Sequence, residues 1–293
     1  MVSENAADSL IEDGLIILDK PPGHTSHEIS AFVKKITGAA RAGHAGTLDP
    51  EVSGVLPVAL GRSTKLLRYI AGKTKTYVGI IKFRKAQTPE QIEALFKKFT
   101  GELTQTPPKM SAVRKVPRKR VVYHLKLLEA GATNPRLAVF EAKVGAGTYI
   151  RTLCEDIGKL CGGARMEELR RIAVGDITED RAVTMEDLTD AVWLLRDKGD
   201  DSALKKIIHR PEEFIDFPRV VIKDSAVDSV RSGAQIAVPA ISRLDSKVIS
   251  GEHVAIYSED GRFVGVGVAG ISSDELGRLR KGLAIKLERV QIQ

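Results

Sequence analysis

Cysteine is nearly absent from this chain. Cys154 and Cys161 are the only two among 293 residues. Their spacing matches no zinc pattern, and no Cys/His cluster stands near them. Both fall in a periodic apolar stretch, which suits core thiols in a reducing cytoplasm, so neither disulfides nor a metal centre is expected. No apolar run approaches the ~18 residues of a membrane-spanning helix, so no membrane partner is expected. Residues 1–13 carry Glu4, Asp8, Glu12 and Asp13 and no cation, the reverse of a secretory leader. Aromatics make up only 5% of the chain.

Acids are missing from one long stretch. Residues 103–122 contain none, yet they hold Lys109, Arg114, Lys115, Arg118, Lys119 and Arg120. A solvated basic loop and a surface for RNA phosphates both fit this pattern. The whole chain is only moderately basic, with 45 Lys and Arg against 38 Asp and Glu, a net charge of +7 and a pI near 9.3. That balance suits a nucleic-acid partner without establishing one. Hydrophobic residues reach 43%, enough for a packed core.

The periodicity is mixed. Residues 14–18 read as a buried strand. Ser26 looks like a helix cap ahead of Ile29, Phe32, Val33 and Ile36, and Gly38 stops that helix. Residues 77–83 suggest a strand. Thr88, Pro89 and Gln91 make a capping box before Ile92, Leu95, Phe96 and Phe99. Residues 121–128 and 137–144 alternate as strands. A helix is expected over 149–161 with Ile150, Leu153, Ile157 and Leu160 inward, and another over 185–196 behind Thr184. Lacking a βαβ rhythm, the pattern predicts an α+β domain with a mixed, largely antiparallel sheet. Residues 197–218 are charged and read as a linker. Beyond them, short strands with Gly-rich bends, including a hairpin across Glu259-Asp260-Gly261, suggest a small β-barrel. The expected division is a tail over 1–13, a catalytic domain over 14–215 and a small domain over 216–293.

The segment most suggestive of chemistry is Arg41-Ala42-Gly43-His44-Ala45-Gly46-Thr47-Leu48-Asp49-Pro50. Gly43 and Gly46 tolerate positive φ, and Pro50 restricts Asp49 towards extended backbone. Alone, such a turn is more often only a turn. Three other segments accompany it: Leu18-Asp19-Lys20-Pro21-Pro22-Gly23, Lys75-Thr76-Tyr77 and Gly147-Thr148-Tyr149-Ile150-Arg151. In this order, across about residues 14–190, the four resemble the TruB/dyskerin family of RNA pseudouridine synthases. The C-terminal part resembles a PUA domain, an RNA-binding module.

The resemblance implies an isomerase that needs no cofactor. Asp49 would be its essential carboxylate, as nucleophile or as base. Arg151 would keep Asp49 charged, although a surface pair with Glu155 at i+4 is an ordinary alternative. Tyr77 would stack on the flipped uridine, against the bland reading of a core aromatic. His44 would help hold the nucleotide, and Leu169 would line the uracil pocket or simply belong to the core. Lys20 would support the loop from behind, while Thr25 and Ser26 would only cap a helix.

The chain lacks the Thr-Asp-rich turn of bacterial members, having Arg84-Lys85-Ala86-Gln87-Thr88 there, and Ile222-Lys223-Asp224-Ser225-Ala226-Val227 looks archaeal. The implied partners are tRNA, rRNA, an H/ACA guide RNA and small ribonucleoprotein proteins. A non-catalytic RNA-binding scaffold is the alternative. A glycosidase would need a second acid, for which Asp19 and Glu155 are the only nearby candidates.

Overall fold

The computed structural model describes residues 6–108, 114–131, 134–245 and 247–290. The chain forms two compact units, one up to His209 and one from Arg210 onward.

In the first unit, α1 (Ala6–Asp13) and β1 (Leu15–Lys20) precede α2 (Ser26–Thr37). β2 (Ala42–His44) and β3 (Ser53–Leu60) bracket the loop carrying Asp49. A 3-10 turn and α3 (Leu67–Ala71) lead to β4 (Lys75–Phe83), α4 (Pro89–Lys98), β5 (Gly101–Gln105), β6 (Arg118–Ala130) and β7 (Leu137–Val144). Then come α5 (Ile150–Leu160), β8 (Ala164–Val174), β9 (Ile177–Thr178), α6 (Met185–Trp193), α7 (Ser202–Ile207) and β10 (Ile208–His209).

The strands run β10-β1-β3-β8-β4-β7-β6-β5, with β2 beside β3 and β9 beside β8. Among the named strands of this sheet pairing is antiparallel except where Ser53 and Gly54 meet Arg170 and Arg171 in parallel, with one isolated parallel bridge from Leu18 to Val183, so the largely antiparallel expectation holds. β8 joins the two halves of this sheet. On one side Ile81, Phe96, Phe140, Leu153 and Ile157 form a core. On the other Ile16, Leu18, Ile29, Val33, Leu56 and Leu188 form a second. Gly79 lets β4 and β8 pack closely, because a Cβ there would stand 2.9 Å from the backbone oxygen of Glu168 and 2.7 Å from Leu169 Cδ1.

Several local expectations shift. Thr25, not Ser26, caps α2, in a capping box with Glu28. Phe32 and Leu160 are exposed instead of inward; Phe32 sits edge-on to His24. The boundary between the two units falls inside residues 197–218, but that stretch is more regular than a linker. Leu204, Ile207 and Ile208 are buried in the second core, and β10 pairs with β1. Charges dominate that stretch's composition, but Leu204, Ile207, Ile208, Phe214 and Ile215 are buried. Residues 6–13 are helical, and Asp13 holds Arg62 through two bonds.

The second unit contains β11 (Arg219–Ile222), α8 (Asp224–Arg231), β12 (Ile236–Ala237), β13 (Ile241–Leu244), β14 (His253–Ser258), β15 (Phe263–Ala269), α9 (Ser273–Leu276) and β16 (Leu283–Val290). Its six-stranded sheet runs β12-β16-β15-β14-β11-β13 over a core of Val220, Ile222, Val254, Ile256, Val264 and Ile285. The β14/β15 hairpin forms as expected. A 3-10 turn at Val238–Ala240 separates β12 from β13, because Pro239 supplies no ladder donor. Among the described residues no helix is long and apolar enough to cross a membrane.

Candidate active site

A cavity of about 470 Å³ opens on the first unit, within the ~300–1,000 Å³ span of small-molecule sites. Asp49, Tyr77, Arg151 and Leu169 all line it, from four separate segments. Asp49 is the only carboxylate among the lining residues.

Asp49 projects from the loop between β2 and β3. Arg151, the second residue of α5, donates from Nη2 to Asp49 Oδ2 at 2.5 Å. The partner is therefore Asp49 and not Glu155. Their side chains are 50% and 39% exposed. The pair is thus a half-open ion pair.

The loop is held from below by buried polar groups. Lys20 is fully buried at the end of β1, and its ammonium donates to Pro21 O at 2.7 Å and Pro50 O at 2.9 Å. Burial lowers its pKa, while the charges of Glu51, Asp49 and Glu28 oppose that shift. Gly23 N–H also donates to Pro50 O at 2.9 Å, so the carbonyl following Asp49 accepts two bonds. Ser26 does more than begin a helix. Its buried hydroxyl accepts from Leu48 N at 2.9 Å and donates to Leu48 O at 3.1 Å. The residue before Asp49 is clipped to α2 in this way.

Arg171 holds the other side of the loop. It is 1% exposed, and it donates to Val55 O at 2.8 Å and Gly46 O at 2.9 Å. Burial lowers its pKa, and the Tyr77 hydroxyl, its cross-strand neighbour, counters this. Gly46 takes φ of 87°, as its expected freedom allows, whereas Gly43 lies in β2 with ordinary φ. No motif in the sequence assigns Arg171 a role. The signal available was two adjacent arginines on a strand otherwise facing a core: the first, Arg170, forks onto Asp19 at 2.9 Å and 2.9 Å, and the second turns inward.

Tyr77 on β4 and Leu169 on β8 are both buried, and each serves the core and the cavity wall together. The choice between core and pocket was therefore a false one. Lys75, two residues before Tyr77, also lines the cavity. Burial, with Arg171 nearby, pushes its pKa down to about 8.

His44 lies on β2 and is not among the lining residues; His27 is, and the two rings meet edge-on at 5.0 Å. Both ring nitrogens of His44 are buried without a hydrogen-bond partner. Burial, then His27 and Arg171, pushes its pKa down to about 4.

Of the basic residues, Lys109 lies outside the described residues. Arg114, Lys115, Arg118 and Lys119 are exposed. Lys119 pairs with Glu102 at 2.9 Å across the β5/β6 ladder, so it does have a counter-charge, supplied from just outside the acid-free stretch. The Arg120 guanidinium packs over Gly147 on the cavity rim, 3.1 Å from where a Cβ would stand.

The chain has counterparts among known proteins. A probable tRNA pseudouridine synthase B from Pyrobaculum arsenaticum is 43% identical over 98% of this chain and 87% of its own length. Another from Methanosarcina barkeri is 40% identical over 97% of this chain and 83% of its own. The chain belongs to the TruB family of pseudouridine synthases. Residues 34–90 match the family's N-terminal domain, 151–215 the tRNA pseudouridylate synthase B C-terminal domain and 218–291 a PUA domain. Solved structures are similar along nearly the whole chain. The archaeal box H/ACA sRNP Nop10-Cbf5 complex contains a chain 38% identical, with a TM-score of 0.87 over 99% of this chain and 89% of that one. An H/ACA RNP bound to a substrate RNA containing 2'-deoxyuridine gives 38% identity and 0.89 over 99% and 88%.

Proposed function

We propose that this chain converts uridine to pseudouridine in RNA with Asp49 as the essential carboxylate. The convergence of Asp49, Tyr77, Arg151 and Leu169 on one cavity carries this reading. The reaction breaks the bond from the sugar to N1 of uracil and forms one from the sugar to C5. C5 loses a proton and N1 gains one, so no redox partner or cofactor is consumed. The uridine must first leave its stack, which costs a few kcal/mol.

Asp49 reacts at the sugar–base junction as nucleophile or base, and Arg151 fixes its orientation and charge. Tyr77 stacks on the base, Leu169 closes the pocket, and Lys20 supports the loop. His44 backs His27 beside the nucleotide. With Asp49 the only lining carboxylate and Asp19 engaged by Arg170, a two-carboxylate glycosidase has no second acid.

We assign RNA phosphates to Lys109, Arg114, Lys115, Arg118, Lys119 and Arg120. These contacts supply affinity without base identity. The C-terminal sheet serves as the small barrel of an RNA-holding PUA module. Free Cys154 and Cys161 suit a cytoplasmic enzyme. The RNA is a tRNA T-loop or an rRNA segment selected by an H/ACA guide, the latter with small ribonucleoprotein proteins like those beside the solved relatives.

Tritium release from RNA labelled at uridine C5 tests the assignment. Wild-type protein should release it and Asp49→Asn should not. Full release by Asp49→Asn sinks the role of Asp49. No release from wild type, with or without guide RNA and partner proteins, favours a scaffold. Bare tRNA against a reconstituted guide complex separates the two substrates.

A further inference from the structure

Gln105 is a buried polar residue that the catalytic reading leaves unused. It ends β5 and is 2% exposed. Its side-chain amide pairs with both the backbone N–H and the backbone C=O of Tyr149. Gln105 Oε1 accepts from Tyr149 N at 2.9 Å, and Nε2 donates to Tyr149 O at 3.1 Å. The amide thus copies one rung of a strand ladder where no strand runs.

The location of that rung matters. Tyr149 is the N-cap of α5, with extended backbone (φ −99°, ψ 109°) and no side-chain cap of its own. It follows Gly147, whose φ is 78°, so the chain enters α5 from a turn. The Thr148 hydroxyl is buried there without a partner. Arg151 is only two residues further on, and its reach to Asp49 depends on where α5 begins. Gln105 also directly precedes Thr106-Pro107-Pro108, and Pro108 lines the cavity. One side chain therefore ties the start of the basic segment to the start of the helix carrying Arg151.

We propose that Gln105 is a positioning residue that sets the start of α5 and so holds Arg151 against Asp49. The proposal rests on the role given to Arg151 above. It also explains the residue type. The Tyr149 peptide presents one donor and one acceptor, and only a side chain with both, at this length, meets them together. Leucine offers neither. An ionised glutamate offers the acceptor alone, but a protonated one offers both, because its O–H replaces the amide N–H.

The test compares Gln105→Leu and Gln105→Glu in the full-length protein, on an RNA that the wild type modifies. For Gln105→Leu, kcat should fall roughly 10- to 100-fold, as expected for a misplaced catalytic group, with KM within about two-fold. Gln105→Glu should be similarly slow at neutral pH and recover towards wild-type rate as pH falls and its carboxyl takes up a proton. Thermal melts report the folded fraction at each pH. Wild-type rates from both variants at all pH values would overturn the proposal. So would a loss of rate that only follows the loss of folded protein. An Arg151→Ala control keeps the two ideas apart. If it retains the wild-type rate, the role of Arg151 falls and this proposal with it. If it is slow while both Gln105 variants are fast, Gln105 alone is misassigned.

Discussion

The Lys20 ammonium donates to the carbonyl of Pro50 at 2.9 Å from a fully buried position, one residue past Asp49. A charge is kept out of water to hold a loop in place. It has backbone carbonyls as its partners instead of a carboxylate, so its cost is met by dipoles. Lys20→Met removes the donor to Pro21 and Pro50 while keeping the apolar stem. Urea unfolding should show a loss of about 1–3 kcal/mol, the usual cost of an unsatisfied buried group. The rate of tritium release should fall roughly 10- to 100-fold as Asp49 drifts.

Arg151 behaves differently. Its pair with Asp49 is half-exposed, and such pairs contribute only ~0–1 kcal/mol to stability. Arg151→Met should therefore melt like the wild type yet lose roughly 100-fold or more in rate, the scale of removing one preorganised electrostatic contact. A large fall in melting temperature together with an unchanged rate would assign Arg151 to structure.

His44 carries a pH signature. Its folded pKa is pushed to about 4, below the ordinary 6.5. Between these values the unfolded chain binds a proton that the folded protein refuses, so stability must fall as pH drops through that window. Above pH 6.5 both states are neutral at this site and nothing is lost. Urea midpoints measured from pH 7 to 4 should fall for the wild type and fall less for His44→Gln. Parallel curves would show that other groups dominate.

The exposed cations Arg114, Lys115 and Arg118 set a salt dependence. Changing all three to Gln should weaken RNA binding uniformly across sequences. It should also flatten the slope of log K against log salt by roughly 2, at ~0.7 per single-strand phosphate contact. Filter binding across a salt series checks this, and an unchanged slope places the RNA elsewhere.

The sequence by itself determined the local elements wherever a chemical signal was strong. Thr88, Pro89 and Gln91 fixed the start of α4, and alternation fixed β7 at Leu137–Val144. It also carried the motifs holding Asp49, Tyr77 and Arg151, because these are contiguous strings readable without a fold. It misjudged Ser26, Phe32, Leu160 and the regularity of residues 197–218, where local pattern was compatible with either outcome and packing chose. Only the tertiary structure decided that Arg151 meets Asp49 rather than Glu155, that Arg171 turns inward to hold Gly46, and that Gln105 grips Tyr149. Those partners are separated by dozens of residues or more along the chain. Their selection follows from strand register: β8 places Arg171 opposite Tyr77 and beside Gly54, and a one-residue slip would turn it to the other face. The half-exposure of Asp49 is likewise a property of the assembled loop, since no string of residues specifies how much water reaches a side chain.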